Sequence, residues 1–360
     1  MEAEVADELP PPPGWAYEPK WDGFRVVIWS AASARPGNGT PGGGRIPRLD
    51  SRNAKALLRY FPELEPALGL LPAGTVLDGE VVVPSGGRLD FDALQNRIHP
   101  AESRVRLLAR ETPAQLALFD ALALRGDDLR RQPFSQRRRQ LEELAVELGA
   151  GYDPSSGQPW LLSPSTTDIA VARRWFHEFE PAGFDGIVAK ALDRPYAEGR
   201  REMVKVKHRR TVDCVVGGYR LQKDGGRVGS LLLGLYDDAG ELHFIGHCSS
   251  FSEEGAAALL QALRGIESRP GDAGPAGFGE HARHPGAPSR WTGDKDLDFV
   301  PLRPVLVIEV SYDQLTGDRF RHATRFERWR PDKDPRDCTM DQLERPKGPA
   351  LIEALRRAGA

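Results

Sequence analysis

Residues 17–26 read YEPKWDGFRV, so Lys20 lies between apolar neighbours with Asp22 and Gly23 close behind. A lysine so placed admits three readings. Its stem can lie on apolar surface while the ammonium reaches water. It can clamp a phosphate. Or its amine can attack, provided that nearby cations depress its pKa. Candidate companions follow along the chain. Glu80 stands in LDGEVV (77–82), and Asp185 and Lys190 stand in FDGIVAK (184–190). The segment MVKVKHRR (203–210) alternates Lys205 and Lys207. In a strand that spacing puts both lysines on one face and Val204 and Val206 on the other. Two cations on one face need an anion. Polyphosphate is one, with carboxylates nearby to hold its metal.

Those residues need strands to hold them. FRVVIWS (24–30) predicts a strand, and RIPRLDSRN (45–53) resumes as another after a Gly/Pro-dense loop. Residues 55–71 show helical spacing of Leu, Tyr and Phe. GTVLDGEVVVP (74–84) predicts a strand pair, or one strand broken at Asp78-Gly79, with Asp78 as a turn residue. QLALFDALAL (115–124) and DGIVAKAL (185–192) predict buried strands. Residues 135–148 predict an amphipathic helix with Leu141, Leu144 and Leu148 on one face. Residues 166–183 predict another, with Asp168 early and a glycine near its end.

After residue 210 the texture changes. Three alternating segments (212–222, 228–237 and 241–250) predict strands between Gly-rich turns. A helix follows at 252–266, then a Gly/Pro/His stretch at 269–288 that reads as exposed loop, then a strong strand at 304–314. Many short strands with one helix predict a small β-barrel. The expected division is 1–210, 211–345 and a tail at 346–360, with the boundary near Thr211. A length of 360 residues agrees with two domains.

Composition narrows the class. Forty per cent hydrophobic residues suffice for real cores and exclude global disorder. The net charge of −3 leaves nucleic-acid binding to local patches. Cys214, Cys248 and Cys338 fit neither a zinc motif nor a disulfide framework, which predicts reduced thiols in a cytoplasmic protein. No apolar run of about 18 residues occurs, so no membrane partner is expected. The first 15 residues lack the apolar stretch of a signal peptide.

Seven segments, KWDG, SRN, LDGEVV, LFDAL, FDGIVAK, KVK and RWRPDK, occur here in the order found in the covalent nucleotidyltransferases. These are the ATP-dependent DNA ligases, the RNA ligases and the mRNA capping enzymes. MVKVKHRRTVDCVVGGYR and RHATRFERWRPDKDP most resemble the small bacterial, actinobacterial ligase C type. The likeness runs from about Trp15 to Pro335. It implies an α+β fold: a nucleotidyltransferase (adenylation) domain of antiparallel sheets with flanking helices, followed by a C-terminal OB-fold β-barrel. It implies ATP-dependent sealing of nicked double-stranded DNA with Mg2+ or Mn2+, in DNA repair. The acceptor alternative is an RNA-joining or capping-type enzyme; a nucleic-acid-binding module with a dead site is disfavoured by the intact Lys20, Glu80, Lys205 and Lys207.

Roles carried over by resemblance are these. Lys20 is the AMP carrier, its neutral amine favoured by the charges of Lys190, Lys205 and Lys207. Glu18 belongs to the adenine-recognition segment, and Phe119 stacks on adenine. Arg25 lies near the nucleotide or the nick phosphate. Arg52 and Arg201 contact phosphates. Glu80 reaches the ribose and helps hold metal, and Asp185 is the second metal carboxylate. Arg330, Asp332 and Lys333 orient pyrophosphate. On pattern alone Phe119 would be a core residue and Arg52 a solvated one. Two departures stand out: the family usually has Glu where Asp185 stands, and many relatives have Trp in place of Met203. Asp is shorter by a methylene, which bears on metal preference.

Residues 319–336 hold seven Lys/Arg against three acids, interleaved with Phe320, Phe326 and Trp329. A basic, aromatic stretch beside a small barrel suits nucleic-acid backbone. Residues 130–140 (RRQPFSQRRRQ) are also basic and read as a mostly solvated run. Phosphate contacts position without reading sequence, so little sequence preference is expected. Expected partners include proteins of repair polymerase, primase and end-processing type, around a monomer.

Overall fold

The structure is a computed structural model that describes residues 1–31, 47–222, 225–249, 251–268, 277–285, 298–343 and 350–359. Most of the loops expected at 34–46 and 269–288 therefore lie outside the described residues. The chain divides into two compact units, Met1–His208 with Pro346–Ala360, and Arg209–Arg345.

The first unit is built on two sheets. Its elements are β1 (Glu2–Val5), β2 (Trp15–Lys20), β3 (Phe24–Trp29), β4 (Arg48–Ser51), β5 (Val76–Val82), α1 (Glu102–Glu111), β6 (Gln115–Leu124), α2 (Phe134–Glu147), β7 (Trp160–Leu162), α3 (Ile169–Glu178), β8 (Gly186–Ala191) and β9 (Arg201–Lys207). One sheet runs β1-β9-β8-β2 and the other β7-β6-β5-β3-β4. Pairing is antiparallel except at two edges, where β1 joins β9 and β7 joins β6 in parallel. Lys20 ends β2, and by Phe24 the chain has entered the other sheet. Asp168 caps α3 by accepting from the Ala170 N–H, as its short polar side chain at a helix start predicts.

Three corrections concern this unit. Residues 55–71 form two 3-10 turns and a short helix, Glu65–Gly69, rather than one helix. Pro62 and Pro66 interrupt the hydrogen-bond ladder that a longer helix would need. Asp78 is not a turn residue: β5 runs unbroken through Asp78-Gly79, and both are buried. Nor is the end of the chain a detached tail. The helix Leu351–Gly359, α5 in chain order, buries Leu351, Ala354 and Leu355 in the first unit's core with Tyr17, Trp21, Trp175, Phe179 and Phe184. The Leu351 N–H donates to the Gly87 carbonyl at 2.6 Å, and Arg356 pairs with Asp153.

The second unit holds β10 (Arg210–Leu221), β11 (Val228–Tyr236), β12 (Leu242–Cys248), α4 (Glu253–Arg264), β13 (Val307–Tyr312) and β14 (Arg325–Trp329). They pair antiparallel in the order β12-β11-β10-β13-β14. The two edges approach each other: Cys248 bridges Thr324, whose N–H donates to the His247 carbonyl at 2.9 Å. That closure is what an OB-type barrel requires. Cys214, Cys248 and Cys338 are all buried in its apolar core, and burial pushes the Cys214 thiol well up. No helix among the described residues is long and apolar enough to cross a membrane.

Candidate active site

Register places the charged residues. Gly186 of β8 faces Lys20 on one side and Lys207 on the other. Two residues on, Val188 faces Glu18 and Lys205; two further, Lys190 faces Ala16 and Met203. Side chains alternate along strands, so Glu18, Lys20, Lys190, Lys205 and Lys207 share one face. The buried carboxylate of Asp185 bridges two of them, 2.7 Å from Lys20 Nζ and 3.0 Å from Lys207 Nζ. Gly186 is required here: its φ is +139°, and a Cβ would fall 2.0 Å from the Val206 carbonyl oxygen.

Aromatic packing fixes the lysine and its partner. Trp21 follows Lys20 and Phe184 precedes Asp185; their rings lie 4.8 Å apart in the core. Trp21 Nε1 donates to Ser163 Oγ at 2.9 Å. From the facing sheet comes Glu80, whose Oε1 accepts from the Gly23 N–H at 2.9 Å. A Cβ on Gly23 would sit 2.2 Å from the Val81 carbonyl oxygen, which explains the glycine of the KWDG segment. Burial pushes the Glu80 carboxyl up to about 7, against the pull of the Lys20 ammonium.

The electrostatics of Lys20 differ from the sequence expectation. Burial disfavours its charge, but Asp185 and Glu80 outweigh burial, and the amine is held above its ordinary value. Lys190 is not the neighbour that neutralises it. It donates to Glu18 Oε2 and to the Phe119 carbonyl, both at 2.8 Å. Lys205 and Lys207 do flank the site. Burial lowers the Lys205 pKa, and the charges of Lys20 and Lys207 lower it further. Drawing Asp185 away from Lys20 removes the strongest of the raising charges and leaves Glu80 and Asp22 to oppose burial, which shifts the amine toward neutrality.

The sign gives a prediction. On the reading of Lys20 as the AMP carrier, only the neutral amine attacks, so the rate of AMP transfer to it should rise with pH until the amine is deprotonated. In Asp185→Asn the main raising partner is gone. The rising limb should therefore move to lower pH, whatever happens to the maximal rate. A limb unmoved from the parent's would contradict the pairing.

Beside this face lies a second cluster. The β5–β6 register passes from Asp78–Asp120 to Gly79–Leu118 and skips Phe119, which is thus the extra residue of a β-bulge. Lys190 Nζ lies 4.7 Å and the Arg25 guanidinium 5.7 Å from the Phe119 ring centre, a cation–π arrangement on both counts. Arg25 forms a fork on Asp78, Nε to Oδ1 at 3.0 Å and Nη2 to Oδ2 at 2.6 Å. The Tyr196 hydroxyl donates to the same carboxylate at 2.6 Å, and Arg25 also donates to the Met1 carbonyl. Burial opposes ionisation of Asp78, but Arg25 and Tyr196 hold its pKa below the ordinary value. Glu18 is buried, which raises its pKa despite Lys190 and Arg138.

Not every expected residue gathers here. Arg52 is exposed in the turn after β4; Arg201, exposed at the start of β9, does share the face of Lys205 and Lys207, and its charge acts on Lys205. Arg330, Asp332 and Lys333 belong to the second unit, at and just beyond the end of β14. Sequence reasoning missed Asp78 and Tyr196 as the clamp on Arg25. In the basic run at 130–140, Arg130, Arg131 and Arg139 are exposed, as a mostly solvated run requires, but two arginines depart from that reading. Arg137 is wholly buried against Asp120 at 2.8 Å. Arg138 is buried, 2.7 Å from Glu142 and 3.6 Å from Glu18. Arg130 pairs with Asp128 and Glu198. Glu142 lies four residues from Arg138 and Asp128 two from Arg130, whereas Asp120 lies 17 residues from Arg137 and Glu198 68 from Arg130.

Among the described residues no group of three or more His, Cys, Asp or Glu could cage a metal. Glu80 and Asp185, both acting on Lys20, offer hard oxygen donors from two sides. That set fits a Mg2+-like ion, which uses one or two carboxylates together with water and substrate phosphates.

Residues 4–207 match the family model of the ATP dependent DNA ligase domain, and 224–333 that of the ATP dependent DNA ligase C terminal region. The chain is 47% identical over 353 residues to DNA ligase C2 of Mycolicibacterium smegmatis, covering 96% of this chain and 94% of that one. It is 46% identical over 351 residues to DNA ligase C of Mycobacterium tuberculosis, covering 96% and 93%. A solved Lig E DNA ligase shares the fold, with a TM-score of 0.53 at 16% identity over 88% of this chain and 93% of its own. The chain belongs to the ATP-dependent DNA ligase family.

Proposed function

We propose that Lys20 carries AMP between ATP and a DNA nick. Lys20 Nζ attacks the α-phosphorus and pyrophosphate leaves. The 5′-phosphate at the nick then attacks the lysine-bound AMP and frees Lys20. The 3′-hydroxyl attacks the adenylated 5′-phosphate, AMP leaves, and the strand is joined. The observation that carries this reading is the Lys20–Asp185–Lys207 bridge, at 2.7 and 3.0 Å, on a face that also presents Lys205.

Each group has a task in the proposal. Lys205 and Lys207 neutralise phosphate oxygens. Phe119 and Glu18 take the adenine. Glu80 reaches the ribose; Arg25, Arg52 and Arg201 attend phosphates. Arg330, Asp332 and Lys333 orient pyrophosphate in the first step. Glu80 and Asp185 would hold Mg2+ or Mn2+, which when bound supplies charge neutralisation on the phosphates. The setting is repair of nicked double-stranded DNA in a reducing, cytoplasmic compartment, with gap filling and end processing left to partner proteins.

The test uses α-labelled ATP and, separately, α-labelled GTP, each chased with nicked DNA and nicked RNA. The expected result is an ATP-derived adduct discharged by nicked DNA into sealed product. A GTP adduct, or an AMP adduct discharged only by RNA, would move the chain to an RNA-joining or capping reaction.

A further inference from the structure

In the second unit Arg330 already has ligands. Its Nη1 donates to both oxygens of Asp213, at 2.8 and 2.9 Å. Its Nε donates to Asp332 Oδ1 at 3.0 Å, and Nη2 donates to Asp332 Oδ2 at 2.9 Å. A guanidinium has five N–H groups; Asp332 takes two, and the two Asp213 oxygens share one Nη1 hydrogen. A phosphate gripping Arg330 at two N–H groups therefore competes with these carboxylates for the guanidinium.

The two carboxylates are not equivalent. Asp332 lies two residues from Arg330 on the same segment and is 64% exposed, so it travels with the arginine. Asp213 belongs to β10, and its side chain is only 12% exposed. Its backbone is held from both sides by one amide. The Asp213 N–H donates to Gln342 Oε1 at 3.3 Å, and Gln342 Nε2 donates to the Asp213 carbonyl at 3.2 Å. Lys333 Nζ lies 3.8 Å from Asp213 Oδ2. One fixed carboxylate thus restrains Arg330 and Lys333, two of the three basic residues of the RWRPDK segment; Arg328 pairs with Glu309. The four charges of Asp213, Arg330, Asp332 and Lys333 cancel, so the cluster has little net attraction for a polyanion.

We propose that Asp213 is a positioning residue that withholds Arg330 and Lys333 until the phosphates of ATP displace it. This rests on the reading of Arg330, Asp332 and Lys333 as pyrophosphate-orienting. The competition belongs to AMP transfer onto Lys20 alone, because joining adenylated DNA involves no pyrophosphate.

The experiment compares Asp213→Asn and Arg330→Ala with the parent in the full chain. Two quantities are read: single-turnover AMP labelling against ATP concentration, and sealing of pre-adenylated nicked DNA. Asparagine keeps the shape, and the Gln342 contacts use only the backbone of residue 213. In Asp213→Asn the half-saturating ATP concentration should fall about two- to fivefold, the scale of a partly exposed ion pair. It should also rise more steeply with added salt, since the cluster now carries a net positive charge. Sealing of pre-adenylated DNA should match the parent. A half-saturating ATP that is unchanged or raised in Asp213→Asn, while Arg330→Ala impairs labelling, overturns the competition and leaves the pyrophosphate reading standing. Labelling unaffected by Arg330→Ala overturns both. Asp213→Ser gives the same comparison if the asparagine variant folds poorly.

Discussion

Lys20→Ala is expected to lower AMP labelling of the protein by at least about 10^4-fold, the scale of losing a covalent nucleophile. The loss should be confined to steps that need the lysine. DNA that already carries AMP on its 5′-phosphate bypasses those steps, so the same variant should still join it measurably. Lys20→Arg should be equally dead in labelling, because a guanidinium does not deprotonate in proteins and cannot attack. Lys207 shares Asp185 with Lys20 and is the other amine of the bridge. Full labelling of Lys20→Ala would pass the nucleophile to such a neighbour, and mapping the adduct by mass spectrometry would identify it.

The second large effect is on stability. Arg137 is wholly buried, with Nε and Nη2 on the Asp120 carboxylate at 2.8 and 3.0 Å. Its Nη1 donates to the carbonyls of Gln132 and Arg194, at 2.7 and 3.1 Å. Arg137→Ala leaves a buried, unpartnered carboxylate and takes a donor from the Gln132 carbonyl; the Arg194 carbonyl keeps the Phe134 N–H. Breaking one side of such a pair costs about 3–5 kcal/mol. In a unit of this size that lowers the melting temperature by roughly 6–20 °C. Removing both charges, as in Arg137→Leu with Asp120→Leu, should cost less than Arg137→Ala, because no charge is then stranded. Thermal unfolding of the three proteins checks this ordering. A double variant less stable than the single would mean that the arginine's carbonyl contacts, not the ion pair, carry the stability.

Local pattern was enough for the lysine face. Period-two alternation in KVK predicts Lys205 and Lys207 side by side, and β9 delivers them. The branched runs at 24–30 and 115–124 become β3 and β6 with little change of bounds. What local pattern could not supply was pairing at a distance. Asp-Gly reads as a turn because both residues favour one, yet Asp78 lies mid-strand because Arg25, 53 residues away, satisfies its charge. Arg330 reads as a phosphate ligand, and its Asp213 partner is 117 residues away. Arg137 and Arg138 read as a solvated run because the carboxylates that bury them belong to β6 and β2. Period marks a face; only tertiary structure says which charges on it are already matched.

The return of the chain to its first unit has a consequence for synthesis on the ribosome. The apolar cluster that seats Trp21 and Phe184, and through them Lys20 and Asp185, takes Leu351, Ala354 and Leu355 from α5. Residues 209–345 are translated in between. At ~5–20 residues per second that interval lasts roughly 7–27 s. Throughout it the nascent first unit lacks the helix that completes its aromatic cluster, so Lys20 and Asp185 reach their final setting only after the second unit has been made.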